Sequence, residues 1–167
     1  MANIKELDWS VASDDLKEMT FRLINESPFL PDLLRNMDTL STAINDTFSR
    51  SQTPYGMYGK NGLGGFFYVT DVVPEHDASF YCWVWDRSAF SHRAVRAIRE
   101  YIEKAAREYL LRRMTARAAE KNLCHLLEHI GFKSEGRFRF GYKTHGKLMT
   151  LIQYRAIINK DGIITGD

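Results

Sequence analysis

The chain has 167 residues, of which 44% are hydrophobic and 26% charged, a balance typical of a globular protein that buries one core. We therefore expect a single domain spanning residues 1–167. No apolar run approaches the ~20 residues that cross a bilayer. The N-terminus lacks the pattern of a secretory signal, so we expect no membrane partner and a cytoplasmic location. The two cysteines, Cys82 and Cys124, predict neither a disulfide framework nor a metal site.

The net charge of +2 conceals an asymmetry between the two halves of the chain. Residues 1–86 carry six lysines and arginines against thirteen acidic residues, whereas residues 87–155 carry sixteen against six. A basic half is where a polyanion would bind, although oppositely charged halves also attract each other within a fold. Charge alone leaves both interpretations open.

The first sixty residues predict two short strands and two helices. Residues 4–9 favour a strand, and residues 14–24 place Leu16, Met19 and Leu23 on one helical face. Pro31 suits the first turn of a second helix, which we expect to run to residue 48. A short strand is expected at residues 55–58.

Residues 64–85 predict an antiparallel hairpin. Aromatic and β-branched residues dominate residues 64–73 and 79–85, and residues 74–77 supply the turn between them. The second of these strands is almost entirely apolar, which predicts a central strand covered on both faces.

The clearest helix of the sequence is predicted at residues 91–109. Val95, Ile98 and Ile102 begin a buried stripe, charged residues at helical spacing cover the outer face, and Ser91 is a credible N-cap. A strand at 111–118, a helix at 121–130 ended by Gly131, and a hairpin of strands 138–142 and 148–154 complete the chain. This order predicts an α/β (α+β mixed) fold, with a central, mixed, mostly antiparallel sheet flanked by helices.

Residues 126–137 read Leu-Leu-Glu-His-Ile-Gly-Phe-Lys-Ser-Glu-Gly-Arg. This string resembles an ending common in GNAT acyltransferases, in the branch that includes the ribosomal-protein N-terminal acetyltransferases. The family's elements before and after such a string follow the order predicted here, and the resemblance covers roughly residues 63–156. It implies the GNAT acyl-CoA N-acyltransferase fold, acetyl-CoA as the acyl donor, and a primary amine as the acceptor in a direct transfer.

The resemblance also implies where the acyl donor binds. The family cradles the pyrophosphate on backbone N–H groups in a loop that usually reads Gln/Arg-x-x-Gly-x-Gly/Ala. Ala89, His92 and Ala94 occupy its three positions here, and only Ala94 fits, so nearby cations are expected to supply charge. The implied cofactor-binding set is Trp83, Val84, Trp85, Arg87, Ser91, His92, Arg93, Ala94 and Asn122.

Acetyl transfer needs a base for the amine and a proton for the departing thiolate. Glu120, at the start of the short helix, is the candidate base, although a carboxylate there also suits the helix dipole. Leu127 stands where relatives carry the tyrosine assigned as the acid. Tyr142, on a hairpin that shapes the acceptor pocket in relatives, is the other catalytic candidate, although it is equally a strand aromatic. No metal is expected.

The sequence thus predicts an N-acetyltransferase with an unidentified amine acceptor. Two alternatives stay open: a non-catalytic GNAT-fold binding module, suggested by the divergent loop, and a nucleic-acid-associated acyltransferase that uses the basic half. Nucleic acid is the less favoured partner, because the basic residues of the main helix alternate with acidic ones, as on a solvated face. The edge of the last hairpin leaves a homodimer open.

Overall fold

The computed structural model describes residues 3–27, 30–50 and 53–165. Strands and helices follow the predicted order, with one strand added at the end. The elements are β1 (Asn3–Glu6), α1 (Asp14–Asn25), α2 (Met37–Arg50), β2 (Tyr55–Gly59), β3 (Gly62–Val73), β4 (Asp77–Val84), α3 (His92–Glu108), β5 (Arg113–Ala118), α4 (Lys121–Ile130), β6 (Lys133–Thr144), β7 (Lys147–Ile158) and β8 (Ile164–Thr165).

The eight strands form one sheet in the order β1-β2-β3-β4-β5-β7-β6, with β8 paired to β7 off this path. All of the described strand pairs are antiparallel except β4 and β5, which run parallel. The helix α3 connects this parallel pair, as a crossover requires. The predicted mixed, mostly antiparallel sheet flanked by helices is confirmed.

Two apolar clusters cover the two faces of the sheet. Helices α3 and α4 bury one face, where Ile98 and Ile102 are fully buried in one cluster with Phe67. On the other face, Phe48 of α2 meets the ring of Phe66 edge-on, with 5.0 Å between centroids. Neighbouring residues of β3 therefore point into different clusters, and all eight residues from 63 to 70 are buried.

The expectation that the strand now assigned as β4 is covered on both faces is wrong. Tyr81 and Val84, in its C-terminal half, are exposed. The fully covered central strand is β3 instead. The apolar run of β4 serves two purposes in its C-terminal half: Trp83 packs against the core, whereas Cys82 and Val84 also line a cleft.

The second helix begins later than Pro31 predicts. Residues 32–34 form a 3-10 turn, and α2 starts at Met37. The side chain of Asn36 accepts hydrogen bonds from the N–H groups of Asp38 (2.9 Å) and Thr39 (3.2 Å) and so caps the helix. The first strand likewise ends at Glu6 rather than residue 9.

The last hairpin is longer and tighter than expected. The predicted loop of residues 143–147 shrinks to a two-residue turn, in which His145 and Gly146 have φ of 47° and 72°. Positive φ at both central residues is the geometry that matches the twist of a hairpin. The Asp32 carboxylate accepts from the N–H groups of both residues, at 2.6 and 3.0 Å. A contact from the other end of the chain thus stabilises the turn.

Candidate functional site

The parallel strands β4 and β5 separate part-way along their length. Their pairing runs from Asp77 and Arg113 to Phe80 and Ala116 and stops there. Both strands continue and keep their outer partners, β4 with β3 as far as Val84 and β5 with β7 to its end. Because each strand follows its outer neighbour, the two diverge. The backbone edge of β4 beyond Phe80 is left without a partner on the β5 side.

A cleft of about 890 Å³ opens at this separation. Among the described residues, four elements line the cleft: the end of β4, the start of α3 with the turn before it, the helix α4, and the C-terminal end of α1. The cleft therefore lies at the carboxyl ends of the parallel strands, where α/β proteins commonly bind ligands.

The start of α3 is built to receive an anion. Ser91 is the predicted N-cap, confirmed by the hydrogen bond that its Oγ accepts from the Ala94 N–H at 3.3 Å. The N–H groups of a first helical turn have no intrahelical acceptor, and the helix dipole makes this end positive. Arg87 and His92 add cationic or polar side chains to the same wall of the cleft. Ala94 faces inward and is fully buried.

The end of β4 supplies an apolar wall. Val84 and Trp85 line the cleft, and the Trp85 indole is held by its hydrogen bond from Nε1 to the Leu63 carbonyl at 3.0 Å. Cys82 also lines it, and burial, together with the nearby Glu120 carboxylate, raises the pKa of the Cys82 thiol to about 12. This cysteine therefore stays protonated at neutral pH and is a poor nucleophile.

Glu120 begins α4 and lines the cleft, and its carboxylate has two hydrogen-bond partners. One oxygen accepts from the Leu123 N–H at 3.3 Å, so Glu120 is the N-cap of the helix. The other accepts from the Asn122 side-chain amide at 2.7 Å. Glu120 thus caps α4 and presents a carboxylate to the cleft at the same time.

Several predicted site residues point elsewhere. The Trp83 side chain packs against the α1–α2 face of the sheet, so its contribution to the cleft is limited to backbone. Tyr142 is half-buried on β6 opposite Met149, where burial raises its pKa. Arg93 is exposed in the first turn of α3. Within the described part of the chain, the predicted residues that do line the cleft are Val84, Trp85, Arg87, Ser91, His92, Glu120 and Asn122.

Sequence reasoning missed the wall formed by α1, which contributes Leu23, Glu26 and Ser27. One signal was available. Glu26 stands at the C-terminal end of α1, where a negative charge opposes the helix dipole, and such a local conflict often marks a functional position. His125 and His129 of α4 were missed as well, and their i, i+4 spacing places them on one face of the helix, toward the cleft.

A partly buried guanidinium, that of Arg35, holds the α1 wall in place. Arg35 donates to the carbonyls of Asn25 (2.8 Å), Ser27 (3.1 Å) and Leu30 (3.0 Å) and to Oγ1 of Thr144 (2.8 Å). The first three belong to the segment that leaves α1, and Thr144 ends β6. Arg35 therefore ties the α1 wall of the cleft to the tip of the β6–β7 hairpin.

Comparison with known proteins agrees with this geometry. The family model described as an acetyltransferase (GNAT) domain matches residues 10–149. Among solved structures, a GNAT-family acetyltransferase from Streptococcus pneumoniae is 18% identical, with a TM-score of 0.67 and coverage of 95% of this chain and 100% of that one. No curated protein sequence matches the chain.

Two further structural neighbours contain coenzyme A. The spermidine N-acetyltransferase of Vibrio cholerae, in complex with CoA and spermine, is 15% identical, covers 96% of this chain and 97% of its own, and has a TM-score of 0.66. The ribosomal L7/L12 α-N-protein acetyltransferase RimL, in complex with CoA, is 13% identical, covers 94% of each chain, and has a TM-score of 0.66. At such identities the likeness shows the fold.

The described residues contain neither a helix that could span a membrane nor a set of metal ligands. None of the helices in this part of the chain combines the length and apolar character needed to cross a bilayer. Within the same residues, no cluster of three or more histidine, cysteine or acidic side chains is arranged to hold a metal ion.

Proposed function

Because the chain belongs to the GNAT acetyltransferase family, and is therefore an acyltransferase enzyme, we propose that it transfers an acetyl group from acetyl-CoA to a primary amine. The observation that carries this proposal is the separation of β4 and β5 beside the capped start of α3. An extended thioester-bearing arm fits along an unpaired strand edge, and a pyrophosphate fits at a helix N-terminus. The CoA complexes of two structural neighbours support the same donor.

The donor would lie between β4 and α4, with its pyrophosphate at the first turn of α3. Arg87 and His92 line this end of the cleft and would contribute charge-assisted hydrogen bonds. His92 stands where the family usually has glycine, so the phosphates approach this backbone less closely. We propose Trp83 as a backbone contact only and Arg93 as a first-turn contact of the phosphates. Ala94, whose N–H donates to Ser91 Oγ at 3.3 Å, stays a proposed member of the donor site through its position in this turn.

Direct transfer involves one bond formed and one broken. The amine nitrogen attacks the thioester carbonyl carbon, and collapse of the tetrahedral intermediate breaks the C–S bond. Glu120 would take the amine proton, directly or through a water molecule. The departing thiolate takes a proton from solvent; because an ordinary thiol has a pKa of about 8.5, it needs only modest acid assistance. Tyr142 stays a candidate on the hairpin side, where its raised pKa keeps the hydroxyl protonated.

The acceptor would enter along the α1 wall. Glu26 is exposed there, and the C-terminal end of α1 adds the negative end of a helix dipole. Both features attract an amine that arrives as an ammonium ion. Two neighbours with named acceptors act on spermidine and on a protein α-amine. These acceptors share a primary amine, which is the acceptor class that we propose here.

Donor binding is tested by thermal denaturation with 1 mM acetyl-CoA, which we expect to raise the melting temperature by mass action. Arg87→Glu should weaken acetyl-CoA binding at least about tenfold, because a charge-assisted contact becomes repulsive. Arg96→Glu is the matched control, since Arg96 is an exposed arginine of α3 paired with Glu100 away from the cleft. Absence of any thermal shift at this concentration would contradict the proposal.

Catalysis is tested separately by release of free CoA thiol with spermidine and with a short peptide bearing a free N-terminus. Turnover with either amine supports acetyl transfer.

One observation favours a non-catalytic alternative: Leu127, at the position where relatives carry an acid tyrosine, is fully buried. A binding module of this kind would shift in melting temperature with acetyl-CoA and release no thiol with any amine.

We further propose that residues 1–167 act as one domain in the cytoplasm. The family match spans residues 10–149, most of the chain, which supports a single domain. Cys82 and Cys124 are free thiols, as proteins of a reducing compartment usually have. Limited proteolysis that released a stable fragment would contradict the first statement.

A further inference from the structure

The strand at the outer edge of the sheet, β6, is exposed along nearly its whole length. Three large apolar side chains on it and on the start of β7 are exposed to an unusual degree: Phe138 by 47%, Phe140 by 67% and Leu148 by 57%. Large apolar side chains that are exposed close together commonly mark a binding surface.

The same hairpin carries a concentration of positive charge. Residues 133–147 contain five lysines and arginines and one acidic residue, Glu135, which pairs with Arg155 at 3.0 Å. Among the described residues, no carboxylate lies within ion-pair distance of the remaining cations that flank the exposed rings. These cations are Arg137, Arg139, Lys143 and Lys147.

These four hairpin cations differ from the basic residues of α3 in lacking ion-pair partners among the described residues. Basic and acidic residues alternate along α3, which argues against a polyanionic partner there. In α3, Arg96 pairs with Glu100 at 2.8 Å and Arg99 with Glu103 at 3.0 Å, so these two guanidinium groups are neutralised locally. The hairpin cations have no such partners in the described chain and are free to bind phosphates.

The backbone of β6 is strained where the rings are exposed. Phe140 has a φ of 58°, which is rare for a bulky residue, and the pairing of β6 with β7 is irregular between Phe138 and Tyr142. Gly141 follows, where a Cβ atom would come within 2.8 Å of the Leu151 side chain. The irregularity holds the Phe140 ring in solvent. The Arg117 guanidinium lies 5.8 Å from the centroid of the Phe138 ring and extends the pattern onto β5.

We propose that this surface, the basic ribbon, binds single-stranded nucleic acid. It is the exposed edge along β6: Phe138 and Lys147 lie on one face of the hairpin, Arg137 and Lys143 lie on the other, and Arg139 and Phe140 lie in the irregular stretch between Phe138 and Tyr142. Cations that track phosphates, combined with aromatic rings on which unpaired bases stack, are the two elements of non-sequence-specific single-strand binding. Duplexes do not expose base faces to such rings. A second copy of the chain is disfavoured at this edge, because two basic ribbons would repel and the irregular backbone interrupts strand pairing.

The ribbon lies beside the proposed acceptor end of the cleft. Its tip is tied to the α1 wall by Arg35 and Thr144 and by the contacts of Asp32 with the turn. A strand bound along β6 would therefore pass near that wall. The inference does not depend on acetyl transfer, because binding is measured without acetyl-CoA.

The test is fluorescence anisotropy of a labelled 20-nucleotide oligouridine with the full chain, between 50 and 300 mM KCl. We expect the logarithm of the association constant to fall with the logarithm of salt concentration, by about 0.7 per neutralised phosphate in a single strand. Four cations predict a slope of about −2 to −3. The double variant Arg139→Ala/Lys143→Ala should reduce the slope by about 1.4.

Phe140→Asn tests the stacking element. Asparagine tolerates positive φ, so this variant removes the ring while keeping the backbone conformation. We expect the affinity to fall about five-fold or more, as for loss of one base–aromatic stack, with the salt slope unchanged. Arg96→Ala/Arg99→Ala on α3 is the matched control for charge and should leave binding nearly unaltered, while an unchanged melting temperature verifies folding.

Three results would overturn the proposal. The first is weak evidence of electrostatic or stacking contacts: either the logarithm of the association constant falls with the logarithm of salt concentration by less than about 1, or duplex DNA binds as tightly as oligouridine and Phe140→Asn has no effect. The second is tighter binding of polyglutamate or of anionic phospholipid vesicles than of oligouridine. The third is a dimer in light scattering that dissociates in the Phe140→Asn variant, which would assign the ribbon to a second copy of the chain.

Discussion

Replacing Arg35 with alanine should destabilise the protein far more than replacing a surface arginine. The side chain is only 21% exposed, and truncation removes four hydrogen bonds. The Ser27 carbonyl keeps the Leu30 N–H and the Leu30 carbonyl keeps the Thr144 hydroxyl as donors, whereas the Asn25 carbonyl loses the donor that Arg35 supplies. An acceptor left unsatisfied costs about 1–3 kcal/mol, each of the other lost hydrogen bonds to this charged group adds to the cost, and water entering the gap recovers part of it, so we expect a total loss of about 2–4 kcal/mol. For a chain of this size, that corresponds to a melting temperature lower by about 5–15 °C.

The assay is urea unfolding at pH 7, with Arg22→Ala as the matched control. Arg22, in α1, also has an acidic partner, but its side chain is 68% exposed and its pair with Glu18 is an ordinary i,i+4 surface contact. Such pairs contribute about 0.3–0.5 kcal/mol. Arg35→Lys keeps the charge and loses the planar fork, so its stability should lie between those of the wild type and Arg35→Ala.

A loss below about 1 kcal/mol for Arg35→Ala, equal to that of the surface control, would refute this reasoning. Because Arg35 holds the α1 wall, the variant should also raise the KM for the amine while leaving the acetyl-CoA thermal shift in place. Loss of acetyl-CoA binding with an unchanged KM for the amine would show that the Arg35 contacts do not position the acceptor side of the cleft.

Further predictions concern the cleft and one ion pair. Glu120→Ser keeps an N-cap and removes the carboxylate, so kcat should fall about 100-fold or more if Glu120 is the base. If turnover is unchanged, and Glu120→Ala lowers the free energy of unfolding by about 1 kcal/mol, Glu120 acts only as a helix cap. Cys82→Ser should keep turnover, and the wild type should show no acetylated cysteine by mass spectrometry, because the raised pKa of this thiol opposes a covalent route. Loss of activity in the variant, with an acetyl-cysteine trapped in the wild type, would contradict direct transfer. The Arg113 guanidinium lowers the pKa of Asp77, so this carboxylate stabilises the fold above its unfolded pKa of about 3.9 and the benefit disappears as pH falls through the lower folded value. Asp77→Asn should therefore be less stable than the wild type at pH 7 and close to it at pH 2 in urea unfolding; an equal difference at both pH values would be inconsistent with this linkage.

Local patterns in the sequence were sufficient for the elements that position the donor end of the cleft. The buried stripe and Ser91 predicted α3, and the structure confirms both the stripe and the cap. Gly131 was expected to end α4 and does so with a φ of 107°. Caps, stripes and turns depend on residues a few positions apart, so their physics can be read directly from the chain. The family string that includes Gly131 and Phe132 then linked this order of elements to acetyl transfer.

Tertiary structure alone decided which side chains meet. Trp83 and Val84 are neighbours in β4, but only the side chain of Val84 lines the cleft, because alternate residues of a strand face opposite sides. The cleft itself exists because two parallel strands follow different outer partners, a property of the whole sheet. Arg35 and Thr144 are 109 positions apart, and no local pattern predicts their contact. The string at residues 126–137, together with the predicted order of elements, thus pointed to the acetyltransferase family that the family model shows. The wall opposite the donor came from contacts that only folding creates.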